Sequence, residues 1–211
     1  MFNGIIEEIG TISHIKPEEG KTIFSVTTKE ILNDKKLGQS IAINGACMTI
    51  TEIRGNEFSF DASSESLRIT NLKNLKVNDR VNLESALKFH AAIDGHLLQG
   101  HIDSTGKVES LEVTSEHTIL KIKFPKEIAK LLAFKGSIGV NGVSLTIADL
   151  QRQDFSIHLI PLTMELTTLG ELKSGDIVNL ETDLIARYLE RLVQSKEKEA
   201  KYQFLHERGL I

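Results

Sequence analysis

Tryptophan is absent from the 211 residues, tyrosine occurs twice, and cysteine once, as Cys47. A lone thiol cannot form an internal disulfide, so the fold does not depend on oxidation and suits the cytosol. Scarce aromatic rings and a net charge of -4, from 25 basic against 29 acidic residues, leave neither a stacking platform nor a cationic field for nucleic acid. No apolar run approaches the ~20 residues that cross a bilayer. The opening Met1-Phe2-Asn3-Gly4-Ile5-Ile6-Glu7-Glu8 has no basic leader before a long apolar core. These absences predict a soluble, cytoplasmic protein with no membrane or nucleic-acid partner. What is present, 40% hydrophobic and 26% charged residues, is ordinary for a chain that folds around a core.

The chain is written twice. Shifted by 97 positions, residues 29–87 pair with 126–184 without a gap, and 21 of the 59 pairs are identical. Asn44-Gly45 falls on Asn141-Gly142, Thr49-Ile50 on Thr146-Ile147, and Val81-Asn82-Leu83-Glu84 on Val178-Asn179-Leu180-Glu181. Further upstream the offset is 96, where Gly4 and Gly10 meet Gly100 and Gly106. Two copies are too few for a solenoid, so each half is expected to have its own core. Residues 1–96 and 97–184 are the predicted domains.

Short, alternating, β-branched segments dominate each half: Gly4 to Ile15, Thr22 to Thr28, Ser40 to Ile53, Glu57 to Asp61 and Arg80 to Leu87. Asn-Gly within such alternation marks a hairpin turn or a bulge. Lys29 to Lys36, Lys126 to Phe134, Glu65 to Leu72 and Leu162 to Leu169 are predicted short helices. The expected fold is mainly β: two homologous closed Greek-key-like barrels with short helices, closure removing exposed edges. Residues 185–211 add a C-terminal amphipathic helix, with Ile185, Leu189, Leu192, Val193, Ala200 and Phe204 at helical spacing. It packs either on the second barrel or on copies of itself.

Candidate chemistry is sparse. His96 and His101 lack a third partner for a metal, so no metal site is predicted. Ser144 has no Gly-x-Ser-x-Gly elbow around it, and no phosphate-cradling glycine string occurs. Differences between the copies are more informative. Cys47 faces Ser144, Asp61 faces His158, Ser64 faces Pro161, Ala86 faces Asp183 and Ile5 faces His101. Such differences arise by drift, or because two related pockets share a ligand while only some positions do chemistry.

The opening Met1-Phe2-Asn3-Gly4-Ile5-Ile6, Asn44-Gly45-Ala46-Cys47-Met48-Thr49, Phe60-Asp61 and Leu67-Arg68-Ile69-Thr70-Asn71-Leu72 resemble the riboflavin synthase family. Gly95-His96-Leu97-Leu98-Gln99-Gly100-His101-Ile102-Asp103, Asn141-Gly142-Val143-Ser144-Leu145-Thr146 and Thr167-Thr168-Leu169-Gly170 continue the likeness over essentially the whole chain. The resemblance implies a cofactor-free dismutation. Two molecules of 6,7-dimethyl-8-ribityllumazine exchange a four-carbon unit, giving riboflavin and 5-amino-6-(ribitylamino)uracil. It further implies one lumazine per barrel, an active site between subunits of a homotrimer, and, as an open possibility, association with lumazine synthase.

Carried over by position, the N-terminal pocket would use Gly4, Ile5, Ile6, Ser40, Cys47, Met48, Thr49, Asp61, Ala62, Ser63, Ser64, Glu65 and Ser66, with Phe2 ordering the first strand. The C-terminal pocket would use Gly100, His101, Ile102, Lys135, Ser144, Leu145, Thr146, Ile160, Pro161, Leu162, Thr163, Met164 and Asp183. His101 is the expected general base, histidine being suited to proton transfer near neutral pH. Ser144 or Cys47 would deliver or polarise a nucleophile, with Asp183 holding Ser144 or a water. Asn3, Asn141, Leu162 and Leu166 stand where the family more often has Thr, Asp, Glu and a basic residue. The rival expectations are a non-catalytic lumazine or flavin carrier on the same doubled barrel, and an oligomeric or oligonucleotide-binding barrel pair.

Overall fold

Strand-forming residues alternate between core and solvent along most of both repeats, and the computed structural model, which describes residues 1–113 and 118–207, turns that alternation into two curled sheets. The first repeat supplies β1 (Glu8–Glu18), β2 (Lys21–Thr27), β3 (Ser40–Ile43), β4 (Ala46–Arg54), β5 (Glu57–Ser63) and β6 (Arg80–Ser85). The second supplies β7 (Ser104–Val113), β8 (Thr118–Lys123), β9 (Ser137–Val140), β10 (Val143–Thr146), β11 (Asp149–Leu150), β12 (Asp154–Leu159) and β13 (Ile177–Thr182). Among the described residues three α-helices accompany them: α1 (Ser64–Ile69), α2 (Pro161–Leu166) and α3 (Leu184–Glu207).

The first sheet closes as a six-stranded antiparallel barrel, β1-β2-β5-β4-β3-β6 and back to β1. Its interior is filled by Ile12, Phe24, Val26, Ile41, Phe58, Phe60, Val81 and Leu83, with Phe24 stacked on Phe60 at 5.3 Å. The second sheet runs β10-β9-β13-β7-β8-β12-β11 and is not closed by hydrogen bonds, a departure from the expected pair of closed barrels. The cause is local. β10 and β11 are the two halves of the strand equivalent to β4, separated only by Ile147 and Ala148. In β4 the same place is a bulge, and Thr51 donates its hydroxyl to Ser59 O at 3.1 Å. Ala148 N still donates to Ser156 O at 2.8 Å, so the continuous chain through Ile147 and Ala148 carries the ring across the gap.

Both Asn-Gly pairs make two-residue hairpin turns, with φ of 45° and 80° at Asn44-Gly45 and 46° and 80° at Asn141-Gly142. Only glycine takes the second place readily, and here the tips of the two turns also touch. A Cβ on Gly45 would lie 2.7 Å from Gly142 N, and one on Gly142 would lie 2.7 Å from Gly45 N. Gly45→Ala is therefore expected to cost about 3 kcal/mol or more, from positive-φ strain plus overpacking. Urea unfolding of the variant reads this directly; a loss under 1 kcal/mol would mean the contact between the turns is slack.

Around these tips the two barrels exchange buried amide hydrogen bonds. Asn82 Nδ2 donates to Asn141 O at 2.9 Å and Asn179 Nδ2 to Asn44 O at 2.8 Å. Thr168 N donates to Asn82 Oδ1 at 2.8 Å and Asn71 N to Asn179 Oδ1 at 2.6 Å. Asn82 and Asn179 are fully buried, so leaving any of these groups unpaired would carry a desolvation penalty of about 1–3 kcal/mol. The repeated Val-Asn-Leu-Glu strings thus join the barrels about a local two-fold relation.

Lys29 to Lys36 is not the short helix the sequence suggests but a run of turns. The Glu8 carboxylate accepts from the N–H groups of Lys29, Glu30 and Ile31, and the following bonds span three residues, Asn33 N to Glu30 O and Lys35 N to Leu32 O, both 3.0 Å. The C-terminal helix forms as expected. Ile185, Tyr188, Leu189, Leu192 and Val193 are more than half exposed along it, while the side chains of Ala200 and Phe204 lie outside the described residues. No helix among the described residues is long and apolar enough to cross a membrane.

Candidate functional site

Strand β10 carries Ser144, Leu145 and Thr146 at the rim of the second barrel, Ser144 opposite Gly139 of β9. The chain that meets Ser144 comes from the other barrel. The strap of residues 1–7 crosses over before entering β1, so that Gly4 O accepts from Ser144 N at 2.8 Å, and Ile6 packs on the second barrel's core. The reciprocal strap, residues 98–103, crosses before β7. Gly100 O accepts from Cys47 N at 2.9 Å, and Ile102 is buried in the first barrel's core. The sequence reading instead grouped each strap with its own repeat. Gly4, Ile5 and Ile6 belong beside Ser144, and Gly100, His101 and Ile102 beside Cys47. The internal repeat shows which residues are equivalent but not which barrel a strap leans on, because that is decided by contacts between residues about 50 to 140 apart.

The straps are anchored by Phe2, which pairs with Leu98: Phe2 N donates to Leu98 O at 2.7 Å and Leu98 N to Phe2 O at 3.0 Å. Phe2 is 1% exposed against Ala42 and Leu98, which fixes the start of the chain. Close approach explains the glycines. A Cβ on Gly4 would lie 2.6 Å from Ser144 Cβ, and one on Gly100 would lie 2.4 Å from Cys47 Cβ.

The imidazole on Ser144 is that of His96, not His101. His96 Nδ1 lies 2.7 Å from Ser144 Oγ, and His96 N donates to Asn3 O at 3.2 Å. Gly95 admits this pairing, since a Cβ there would meet Asn3 O at 2.1 Å. Burial holds the His96 pKa below the ordinary imidazole range and favours the uncharged ring, opposed by the charge of Asp183. Its Nε2 is buried and has no hydrogen-bond partner among the described residues. Asp183 also caps α3, accepting from Ile185 N at 2.8 Å. His101 is exposed, and its carbonyl accepts from Arg187 Nη2 at 2.7 Å. Sequence reasoning treated His96 only as a metal candidate; its position next to Gly95 was the available signal.

The first barrel places Ser40 opposite Thr49 and Ala42 opposite Cys47. Met48 and Ala62 point into the core, whereas Thr49, Ser63, Ser64 and Glu65 are exposed and Ser66 half-buried. Ser63 Oγ caps α1 by accepting from Ser66 N at 3.1 Å, and Asp61 pairs with Lys21 at 2.6 Å. In the second barrel Thr146, Ile160, Pro161 and Leu162 are exposed, Leu145 is half-buried, and Thr163 O accepts from Thr167 Oγ1 at 2.7 Å. Met164 packs against the core, and Lys135 takes a left-handed backbone, φ 64°, with its ammonium 5.3 Å over the Phe134 ring. The two half-sites thus open at the molecular surface. A groove of about 580 Å³ lies beyond the first strap, between residues 30–35 and 84–94, and its wall includes Glu7, Glu8, Glu30, Asp34, Glu84 and Asp94. So many carboxylates disfavour an anionic ligand there. Among the described residues no group of three or more metal-binding side chains occurs.

Glu84, beneath the first strap, has its pKa pushed up to about 7 by burial, against the hydrogen bonds from Asn3 and Gly4 and helped by Glu7. The native state therefore keeps a proton that the unfolded chain releases near 4.5. The stability this gives is complete below that value and is lost as pH rises to about 7, by up to about 3 kcal/mol. Urea unfolding from pH 5 to 8 is expected to show that decline and to show it diminished in Glu84→Gln. A flat wild-type profile would contradict it.

The doubled barrel thus carries two related half-sites, each walled by the other barrel's strap. The chain belongs to the lumazine binding domain family, whose model matches residues 3–86 and 99–183. It is 37% identical to the riboflavin synthase of Bacillus subtilis (strain 168) over 99% of this chain and 100% of that one. It is 40% identical to that of Escherichia coli (strain K12) over 93% and 95%. Among solved structures, LumP complexed with 6,7-dimethyl-8-(1'-D-ribityl) lumazine covers 86% of this chain and 99% of its own at a TM-score of 0.79 and 28% identity. LumP complexed with riboflavin reaches 0.81 at the same identity and coverage.

Proposed function

We propose that the chain is a riboflavin synthase, converting two molecules of 6,7-dimethyl-8-ribityllumazine into riboflavin and 5-amino-6-(ribitylamino)uracil by transfer of a four-carbon unit. The observation that carries this beyond simple binding is the inequality of the two half-sites: Ser144 meets the half-buried imidazole of His96, while Cys47 at the matching place meets the Gly100 strap. The two half-sites thus carry different chemistry on one shared frame.

In the reaction the C7 methyl of one lumazine is acidic because its carbanion delocalises into the ring. His96 and Ser144 form the relay that activates a nucleophile or shuttles a proton on the second barrel, with the charge of Asp183 nearby favouring the imidazolium that a proton transfer would create. His101 sits on the strap that meets Cys47 and is the base on the first barrel. Exposed Thr49 and Thr146 offer hydroxyls to ribityl chains. Juxtaposition of two rings does most of the work, worth roughly 7–11 kcal/mol as effective molarity.

Because both half-sites open at the surface, the two rings meet when the first barrel of one subunit faces the second barrel of another. The exposed apolar face of α3 suits packing against copies of itself, and the assembly proposed is a cytoplasmic homotrimer. Mixing the full chain with 6,7-dimethyl-8-ribityllumazine and no cofactor tests the function. Riboflavin fluorescence should appear with one riboflavin per two lumazines consumed. Tight lumazine binding without turnover would favour a carrier instead.

A further inference from the structure

Glu84 and Glu181 hold equivalent places on β6 and β13, and both are buried, at 2% and 3% exposure. A carboxylate so placed needs several hydrogen bonds. Glu84 takes them from the first strap, accepting from Asn3 N at 2.7 Å and Gly4 N at 3.0 Å through Oε1. Glu181 takes them from the second, accepting from Gln99 N at 2.7 Å and Gly100 N at 3.1 Å. The opposite edge of each strap is what the other barrel uses: Gly4 O for Ser144 N and Gly100 O for Cys47 N. Every strap is therefore held on one side by a carboxylate of its own barrel and, on the other, forms a wall of its neighbour's half-site.

The clamps are not equal. Arg187 Nη2 lies 3.8 Å from Glu181 and 2.8 Å from Asp103, and bonds His101 O, so the first turn of α3 also grips the second strap. Glu84 has no such cation; Glu7 is the charged side chain acting on it.

We propose that Glu84 and Glu181 are positioning residues that act crosswise, the carboxylate of each barrel setting the geometry of the half-site on the other. For the ligand this rests on the riboflavin synthase reading; for the straps it stands on geometry alone.

Hydrogen exchange of the full chain, read on fragments spanning residues 140–147 and 43–50, separates the two. In Glu84→Ala the Ser144 amide should exchange about tenfold or more faster, as expected for loss of charge-assisted bonds, with the Cys47 amide within about twofold of wild type. Glu181→Ala should do the reverse. Glu84→Gln keeps the Oε1 acceptor and removes the charge that Glu84 carries above about pH 7, so at pH 8 it should shift the Ser144 amide in the same direction by about threefold and serves if the alanine variant does not fold. Titration with riboflavin should follow the same cross. Glu84→Ala loses about tenfold in affinity at one site while riboflavin still shields Cys47 from alkylation, and Glu181→Ala loses that shielding. Equal acceleration of both amides, no acceleration, or an effect confined to each carboxylate's own barrel would overturn the proposal. A crossed exchange pattern in a protein that binds no riboflavin would leave the clamps standing and sink the functional reading instead.

Discussion

Leu189→Glu combined with Leu192→Glu is expected to leave folded protein that still binds lumazine but turns over about three or more orders of magnitude more slowly. Both side chains are more than half exposed on α3, so neither contributes to a barrel core, and each barrel has its own. Charges on that face oppose burial against another copy, because an unpaired carboxylate there would have to be desolvated. Separated subunits keep their half-sites but lose the enforced encounter between rings, and effective molarities of about 10⁵–10⁸ M for well-oriented reactants set the scale of the loss. Light scattering, a ligand titration and a turnover assay on the same sample check the three parts. A dissociated variant with undiminished turnover would place the active site within one subunit.

Ser144→Ala and His96→Gln should each lower kcat by about one to two orders of magnitude, with a much smaller change in lumazine affinity. Ser144 Oγ and His96 Nδ1 are 2.7 Å apart, so they act as a unit, and the double variant should be little worse than either single one. The loss stops short of inactivation because positioning supplies most of the acceleration. Cys47→Ala, lacking any such partner, should cost less. Affinity lost in step with turnover would reduce the pair to a binding role.

The proposed catalytic pair was only partly legible in the residues. Ser144 and Cys47 stood out because the repeat set them against each other, and Asp183 because Ala86 occupies its twin position. His96 did not stand out, since its partner is 48 residues away and the pairing depends on Asn3 and Gly95 coming together. Likewise the crossing of the straps left no periodic trace. Gly4 and Gly100 announce a close approach without saying what approaches. Glu84 and Glu181 read as ordinary members of a repeated strand until the backbone N–H groups they accept from are placed.

By itself the sequence determined the doubled, mainly β architecture, the hairpin turns at Asn44-Gly45 and Asn141-Gly142, and the amphipathic helix beyond residue 184, because all of these follow from interactions local in the chain or from its internal repetition. Tertiary structure alone decided that the second sheet stays open at Ile147-Ala148, that the straps trade barrels, and that His96 meets Ser144. Those outcomes depend on packing and hydrogen bonds between residues far apart in sequence, where side-chain pattern carries no register.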